Sequence, residues 1–257
     1  MTASRPVARQ TARIATVRIA FVVIVLAAWE IVARSGWLAH DIVPSLGKIG
    51  SALWRLLAGG DFWFNLGVTA AEIGVAMVIG GICGLAVGLL LGANRFLSRA
   101  FEALLLYLGP TPKIIFFPVL IMWFGVGAGS KVAMGVVSCF FPVAIATAAG
   151  MRGIDRVLIR VGRSFRASTW QMVTRIYLPA MRRPVINGVR LGLGVALIGT
   201  LLAETKLSNR GLGYLVIQAY SLFDMPRMYA LLIVLFVLAI AANVLIVRHA
   251  GVEHGLR

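Results

Sequence analysis

The chain has 257 residues, of which 60% are hydrophobic and only 13% are charged, and its formal net charge is +16. Soluble domains contain about a quarter charged residues, so this composition excludes an ordinary soluble protein. Several apolar runs are longer than the roughly 20 residues that a helix needs to cross a bilayer. The composition therefore predicts an all-α membrane protein with several spans.

Residues that could carry metal or redox chemistry are few and dispersed. Cys83 and Cys139 lie inside apolar runs, and the three histidines are scattered. Their spacing fits neither a disulfide framework nor a metal site. We expect no metal, no bound cofactor and no catalytic residue in this chain.

The first span is predicted at residues 17–33, after an N-terminal tail of residues 1–16. No small-residue cleavage site closes this apolar run before Trp29, so the span is expected to be retained rather than removed as a signal peptide. Glu30 and Arg34 are four residues apart, which places them to form an ion pair near the outer end.

A short outer helix is predicted next, because Ile49, Leu53 and Leu56 repeat at helical spacing. It completes a unit of residues 17–61. The second span follows at residues 67–91 and is nearly free of charge apart from Glu72 near its outer end. Three glycines in it and one directly after it are four residues apart, a pattern that lets another helix approach closely but that also occurs through general glycine use in membranes. These are Gly80, Gly84, Gly88 and Gly92.

The third span, residues 100–124, is interrupted by a Gly-Pro-Thr-Pro sequence at residues 109–112. A break at membrane depth is stable only inside the protein or beside a cavity. Lys113 follows the break, and two interpretations stay open. It lines a cavity on a transport path, or the helix simply starts at Ile114 and Lys113 extends to the cytoplasmic surface.

Three further spans are predicted at residues 132–150, 186–203 and 228–247, for six in total. Pro142 is expected to kink the fourth span. The fifth repeats small residues at Gly188, Gly192 and Ala196, so close packing is expected there too.

Glu204 ends the fifth span and is open to two interpretations. An acid at membrane depth is costly and indicates a path or a gate. The alternative is a residue at the outer interface, paired with Lys206 or Arg210.

Most of the basic residues lie in the two tails, at Arg95 and Arg99, and in the central region, and this topology places all of these on the cytoplasmic side. Both termini, including a tail of residues 248–257, are therefore expected in the cytoplasm. This distribution fits a membrane surface with anionic lipid better than a nucleic acid. The region between residues 151 and 190 is the most basic and has a single acid, Asp155. Its nine arginines are Arg152, Arg156, Arg160, Arg163, Arg166, Arg175, Arg182, Arg183 and Arg190.

Within this region the sequence predicts two short helices with a sharp turn near residues 166–168. Val157, Val161 and Phe165 recur every four residues and define the apolar face of the first helix. Ser168 and Gln171 are spaced as a capping box that starts the second. Pro179 is expected to end it and to disfavour helical geometry at Leu178.

The residues between 160 and 179 resemble the cytoplasmic signature of type-I permeases of binding-protein-dependent ABC importers, in the nitrate/sulfonate/taurine branch. That signature is roughly E-A-A-x-x-x-G, followed after nine or more residues by I-x-L-P. Here the second part reads Ile176-Tyr177-Leu178-Pro179. Residues 118–127, 202–204 and 209–215 also resemble this branch, and the likeness extends over residues 62–247.

The first part of the signature departs from the family. Its glutamate position holds Arg160, its two alanine positions hold Val161 and Gly162, and its glycine position holds Arg166. An arginine reverses the local charge, and it is less suited than glycine to a left-handed turn. Either the partner ATPase compensates with acids, or this subunit couples weakly, or a paired permease keeps the usual signature.

The resemblance implies a type-I ABC importer (MetI-like) transmembrane domain of the bacterial inner membrane, with a coupling loop at residues 151–187. It implies a second permease, either an identical copy or a homologue, two cytoplasmic ATPases that hold ATP and Mg, and a soluble solute-binding protein outside. The solute would be a small anion such as a sulfonate, taurine or nitrate. The residues expected to dock on the ATPase are Arg160, Val161, Gly162, Arg163, Ser164, Phe165, Arg166, Ala167 and Ser168.

Two other functions are compatible with parts of the sequence. A secondary transporter would need no ATP, but it would need ionisable relays inside the spans and usually an internal repeat, and neither is evident. A DNA-binding helix-turn-helix would fit the arginines of the central region, but membrane spans flank that region closely on both sides. For Phe165, packing inside the loop remains the alternative to docking.

Overall fold

The computed structural model describes residues 5–35 and 42–249, and every regular element in these two ranges is helical. Five of the helices in these ranges are long and apolar enough to cross a membrane, and a bent pair makes a sixth span. The helices are α1 (Arg5–Ser35), α2 (Leu46–Ala58), α3 (Gly60–Ala93), α4 (Arg95–Leu108), a 3-10 turn (Lys113–Phe116), α5 (Phe117–Phe124), α6 (Ala128–Arg152), α7 (Arg156–Ser164), α8 (Thr169–Gln171), a π-helical segment (Met172–Tyr177), α9 (Leu178–Ala180), α10 (Arg182–Lys206), α11 (Leu212–Ser221) and α12 (Met225–His249).

The predicted six-span all-α fold is confirmed when α4 and the Lys113–Phe124 segment count as one broken span. The two parts meet at an angle of 94°, at the Gly-Pro-Thr-Pro interruption. The first helix begins at Arg5, so most of the predicted N-terminal tail of residues 1–16 is part of α1. Residues 1–4 and 250–257 of the two predicted tails lie outside the described ranges.

Helices α3, α6 and α10 form the centre of the molecule. Cys139, Ala144 and Ala196 are fully buried where they meet. A Cβ added at Gly84 would lie 2.8 Å from the Phe140 carbonyl oxygen, closer than real Cβ atoms come. Such spacing means that the helix backbones are in contact, which only glycine permits.

The same relationship recurs along both helix pairs. A Cβ at Gly80 would lie 2.8 Å from the Val136 carbonyl oxygen, and one at Gly88 would lie 2.6 Å from that of Ala144. On the other side of α6, a Cβ at Gly188 would lie 3.2 Å from the Pro142 carbonyl oxygen and 2.7 Å from the Cβ of Ala146, while one at Gly192 would mainly meet a side chain, with the Cys139 sulfur at 3.0 Å.

Helix α1 lies at the edge, and from Ile14 onward most of its apolar side chains are exposed, as expected for a surface that faces lipid. The predicted ion pair is confirmed, because Arg34 Nε lies 2.7 Å from Glu30 Oε1. Glu30 also accepts a hydrogen bond from the Leu46 amide at 2.9 Å, and this bond holds the start of α2. The predicted short outer helix is α2 itself, which buries Ile49 against Ala230 of α12.

Pro179 does not end its helix, contrary to the sequence-based prediction. Leu178 has helical backbone angles, and the chain remains helical to Ala180. In an α-helix, a proline ring clashes with the carbonyl four residues earlier. Here the preceding turn is the wider π-helical segment, which accommodates the ring. Pro142 lies within α6, which is continuous across it, and the kink expected there stays a prediction.

Candidate functional site

The region between α6 and α10 folds into two short helices that meet at an angle, which we call the elbow (residues 155–180). Its first helix, α7, is preceded by Asp155, whose carboxylate accepts a hydrogen bond from the Val157 amide at 2.8 Å. This is an N-cap, and it satisfies one of the free amides at the helix start. Asp155, the only acid of the region, therefore has a local structural role.

A left-handed turn at Arg166 ends α7. Arg166 has a φ of +52°, and its amide donates to the Arg163 carbonyl at 2.9 Å. The Ala167 amide donates to the Gly162 carbonyl at 3.1 Å. This pair of hydrogen bonds is the Schellman motif, in which glycine is the usual left-handed residue. Arg166, which stands at the glycine position of the family signature, thus forms the left-handed turn for which glycine is better suited.

The second helix starts at Ser168, as predicted. Its hydroxyl accepts from the Gln171 amide at 3.3 Å, and the Gln171 side chain accepts from the Ser168 amide at 2.8 Å. The two helices pack closely, because a Cβ on Gly162 would lie 2.6 Å from the Met172 sulfur and would also meet Ile176. Gly162 is the buried residue of α7 and fixes how the elbow bends.

The predicted apolar face of α7 is not covered by the rest of the chain. Val157 and Val161 are about half exposed, and Phe165 is 83% exposed. Trp170, on the second helix, is 74% exposed. Internal packing of Phe165, the alternative considered above, is therefore wrong. An exposed aromatic and aliphatic surface of this kind is typical of an interaction site.

A buried cluster anchors the elbow to the membrane helices. Met151 and Ile154 at the end of α6 pack with Met181, which precedes α10 and is fully buried. Tyr177 from the elbow and Leu89 from α3 pack against the same cluster. A displacement of the elbow would therefore reach the three central helices directly.

Glu204 lies inside the protein, so the interpretation as an interface residue paired with Lys206 or Arg210 is wrong. It is fully buried, and its carboxylate accepts from the Thr69 hydroxyl at 2.7 Å and from the Gly213 amide at 2.6 Å. A carboxylate is favourable at this place because Gly213 belongs to the first turn of α11. The bonds reach across the fold, which is why the local sequence did not show them.

Two further charged residues lie beside Glu204, and the sequence did not predict that the three come together. Glu72 on α3 and Lys131 on α6 are both at least 95% buried. The Lys131 ammonium donates to the Val126 and Gly127 carbonyls. It is near enough to Glu72 and Glu204 to interact with both electrostatically. An acid at position 72 of an otherwise uncharged span was the available signal.

Lys113 does not extend to the surface, so the second interpretation of this residue is wrong on that point. It is 8% exposed, and its ammonium donates to the Gly109 and Thr111 carbonyls. These bonds bridge the non-helical residues that follow α4. It also borders a cavity of about 280 Å³ whose walls are otherwise apolar, among them Phe116 and Trp123.

The chain matches the family described as binding-protein-dependent transport system inner membrane component over residues 76–250. A relative in Escherichia coli K12, named as an aliphatic sulfonates transport permease (SsuC), is 30% identical over 76% of this chain and 74% of its own length. An ABC transporter permease protein of Haemophilus influenzae is 31% identical, over 82% of this chain and 86% of its own. The taurine transport system permease TauC of Escherichia coli K12 is 26% identical, over 83% and 78%.

A solved structure shares the fold. A chain of the MetNI methionine ABC transporter, in an inward-facing conformation, superposes with a TM-score of 0.64 at 23% identity and covers 78% of this chain and 98% of that one. The family match and the relatives support an ATP-driven permease and give no support to a secondary transporter. The chain therefore belongs to the binding-protein-dependent transport system inner membrane components, and it is a multi-pass permease of the type-I ABC importers.

Proposed function

We propose that this permease imports a small anion, such as a sulfonate, taurine or nitrate, that a soluble binding protein delivers to the outer face. The support is the similarity to permeases named for aliphatic sulfonates and for taurine. Other relatives are named for formylaminopyrimidine and riboflavin, so the permease alone does not define the solute. The binding protein is the subunit to test for solute selectivity.

The complete importer would contain two permeases and two ATPases. The second permease is either another copy of this chain or a homologue, and both termini of this chain would face the cytoplasm of a bacterial cell. ATP and Mg would bind to the ATPases, where hydrolysis takes place. Purification of the native complex in mild detergent would identify the subunits, and a ligand screen of the soluble one would identify the solute.

Coupling to the ATPases would occur through the elbow. Phe165 carries this proposal, because an aromatic side chain that is 83% exposed at the bend of a well-anchored loop, next to the exposed Val157 and Val161, is typical of a docking surface. The docking surface would comprise residues 160–168 with Trp170 at its edge. ATP-driven closure of the ATPases would move the elbow, and the Met151–Met181 cluster would pass this movement to α6 and α10.

The experiment is the substitution Phe165→Ala in the complex reconstituted into vesicles. Because the side chain contributes little to the folded permease, the variant should assemble in the membrane and bind the solute-loaded binding protein. It should nevertheless lose solute-stimulated ATP turnover. Phe96→Ala is the matched control, since Phe96 is 77% exposed but lies at the start of α4. Normal stimulation in the Phe165→Ala variant would contradict docking through the elbow.

Lys113 and Glu204, the predicted path or gate residues, would act by positioning rather than by touching the solute. Glu204 has its hydrogen bonds satisfied by Thr69 and Gly213, and Lys113 binds the carbonyls at the break after α4. We propose that Glu204 holds α11 against the central helices at the outer end, and that Lys113 holds the 94° bend. Solute affinity of the binding protein should be unchanged when either residue is substituted.

A further inference from the structure

Arg156, Arg160 and Arg163 form a row of positive charge on α7. Their spacing of four and then three residues places them on one face of the helix. Arg166 continues the charge at the left-handed turn. All four side chains are exposed, and none of them takes part in an ion pair within residues 5–35 and 42–249.

The row is not neutralised from within the elbow. Asp155 is the only acid in the region, and its carboxylate caps α7 at the Val157 amide. Like charges at this spacing destabilise a helix, and Arg156 lies in the first turn, where the helix dipole disfavours a cation. The sequence therefore carries a local cost that is unrelieved in the isolated chain.

At about 100° per residue, the centre of the row lies roughly 130° around the helix from the exposed apolar face of Val157, Val161 and Phe165. Arg160 is the member of the row nearest to that face, on the side of Val157. A groove that encloses α7 to cover the apolar face therefore also removes water from the Arg160 guanidinium. Burying an unpaired charge is strongly unfavourable, whereas a carboxylate opposite an arginine offsets the loss. The partner must therefore present acidic side chains next to an apolar pocket.

We propose that the elbow fits an ATPase groove lined with carboxylates, with one of them opposite Arg160. This inference rests on the proposed docking of the elbow. The family signature has a glutamate where this chain has Arg160, so the polarity of the contact is reversed here. An ATPase whose groove is built to receive that glutamate would meet like charges, and the row therefore selects the cognate ATPase.

Anionic lipid is the competing occupant of the arginine row. The side chains best placed for lipid headgroups are those at the ends of the spans, such as Arg152, Arg182 and Arg183. The arginines of α7 instead lie on a short helix that Phe165 directly follows, and only a partner with both an apolar pocket and acids matches the two features together.

The test uses the full-length permease in nanodiscs of zwitterionic lipid, titrated with the ATPase that co-purifies with the wild-type complex. Arg160→Glu should weaken binding by about tenfold or more, because a charge pair becomes a repulsive one. Arg160→Lys keeps the charge and should remain within about threefold of the wild type. Arg95→Glu, an equal charge change on an exposed residue of α4, should have no effect.

Salt provides a second measurement. Binding of the wild type should weaken as ionic strength rises, and this dependence should be reduced in Arg160→Glu. Substituting a groove carboxylate of the ATPase by lysine should restore binding of Arg160→Glu and impair that of the wild type. Such a reciprocal result would identify the acid opposite Arg160.

Three results would overturn the inference. If Arg160→Glu binds like the wild type while Phe165→Ala does not, docking stands and the acidic groove is wrong. If neither substitution affects binding, docking itself is wrong. If Arg160→Glu weakens binding only in nanodiscs that contain anionic lipid, the row binds lipid and not the ATPase.

Discussion

The Thr69 hydroxyl donates a hydrogen bond to Glu204 at 2.7 Å and accepts one from the Leu212 amide at 2.8 Å. One buried side chain of α3 thus joins the end of α10 to the start of α11. Asn65, one turn earlier on α3, accepts from the Gly211 amide at 2.7 Å. The end of the molecule where α10 meets α11 is held by polar contacts, while its centre is held by glycine contacts.

Glu204→Ala should strongly destabilise the permease. The substitution leaves the Thr69 hydroxyl and the Gly213 amide without their acceptor in a buried place, and we expect a loss of about 3 kcal/mol. The measurement is thermal unfolding of the protein in detergent. Glu102→Ala is the control, because Glu102 makes a partly exposed ion pair with Arg152 and should cost less than about 1 kcal/mol. Equal melting temperatures of the two variants would contradict a structural role for Glu204.

Gly84→Ala should separate α3 from α6. The new methyl group would lie 2.8 Å from the Phe140 carbonyl oxygen, which belongs to the backbone and cannot move aside, so a loss of about 1–3 kcal/mol is expected. Gly81→Ala on the same helix meets nothing within 4 Å and should be neutral or slightly stabilising. The two variants can be compared by thermal unfolding. A neutral Gly84→Ala would show that the helices are not in backbone contact.

Arg166→Gly should stabilise the elbow. Its φ of +52° is costly for a residue with a side chain, and glycine removes about 1 kcal/mol of this strain. Slower amide hydrogen exchange at Phe165 and Ala167 would report the gain. Arg163→Gly removes the same charge inside α7, where glycine should cost about 1 kcal/mol and speed exchange. Faster exchange in both variants would mean that Arg166 is not in the left-handed turn.

Gly211→Ala should disrupt the packing between α10 and α11. Gly211 has a φ of +103°, and a Cβ there would lie 2.5 Å from Glu204 Oε1. Strain and steric conflict act together, so a loss of roughly 3 kcal/mol or poor folding is expected. Gly127→Ala is the matched loop control, since its φ is −69° and nothing lies within 4 Å. The yield of monodisperse protein after solubilisation distinguishes the two variants.

Features set by neighbours in the sequence were predictable. The capping box at Ser168, the outer helix around Ile49 and the pair of Glu30 with Arg34 each depend on residues within a few positions of one another. The spans and the family followed from apolar run length and from motifs in a fixed order. For these features, local chemistry and tertiary structure agree.

Features set by distant neighbours were not predictable. Thr69 and Glu204 are 135 residues apart, so an acid at the end of a span looked like an interface residue until the fold brought the two together. Pro179 follows a π-helical segment, and the spacing of residues in the sequence does not predict where such a wider turn forms. Arg166 took a conformation that favours glycine, because the packing of Gly162 on Met172 defines the bend whichever residue occupies it.

The backbone contacts along α3, α6 and α10 bear on how transport can proceed. Helices whose main chains approach this closely at Gly84 and Gly188 cannot slide past one another without collision, so we expect the three helices to move together as a rigid unit. We expect the backbone to flex instead at two places outside these three helices, which are the 94° bend after α4 and Gly125, whose φ is +76°. A displacement of the elbow would then produce a displacement of similar size at the opposite ends of α3, α6 and α10.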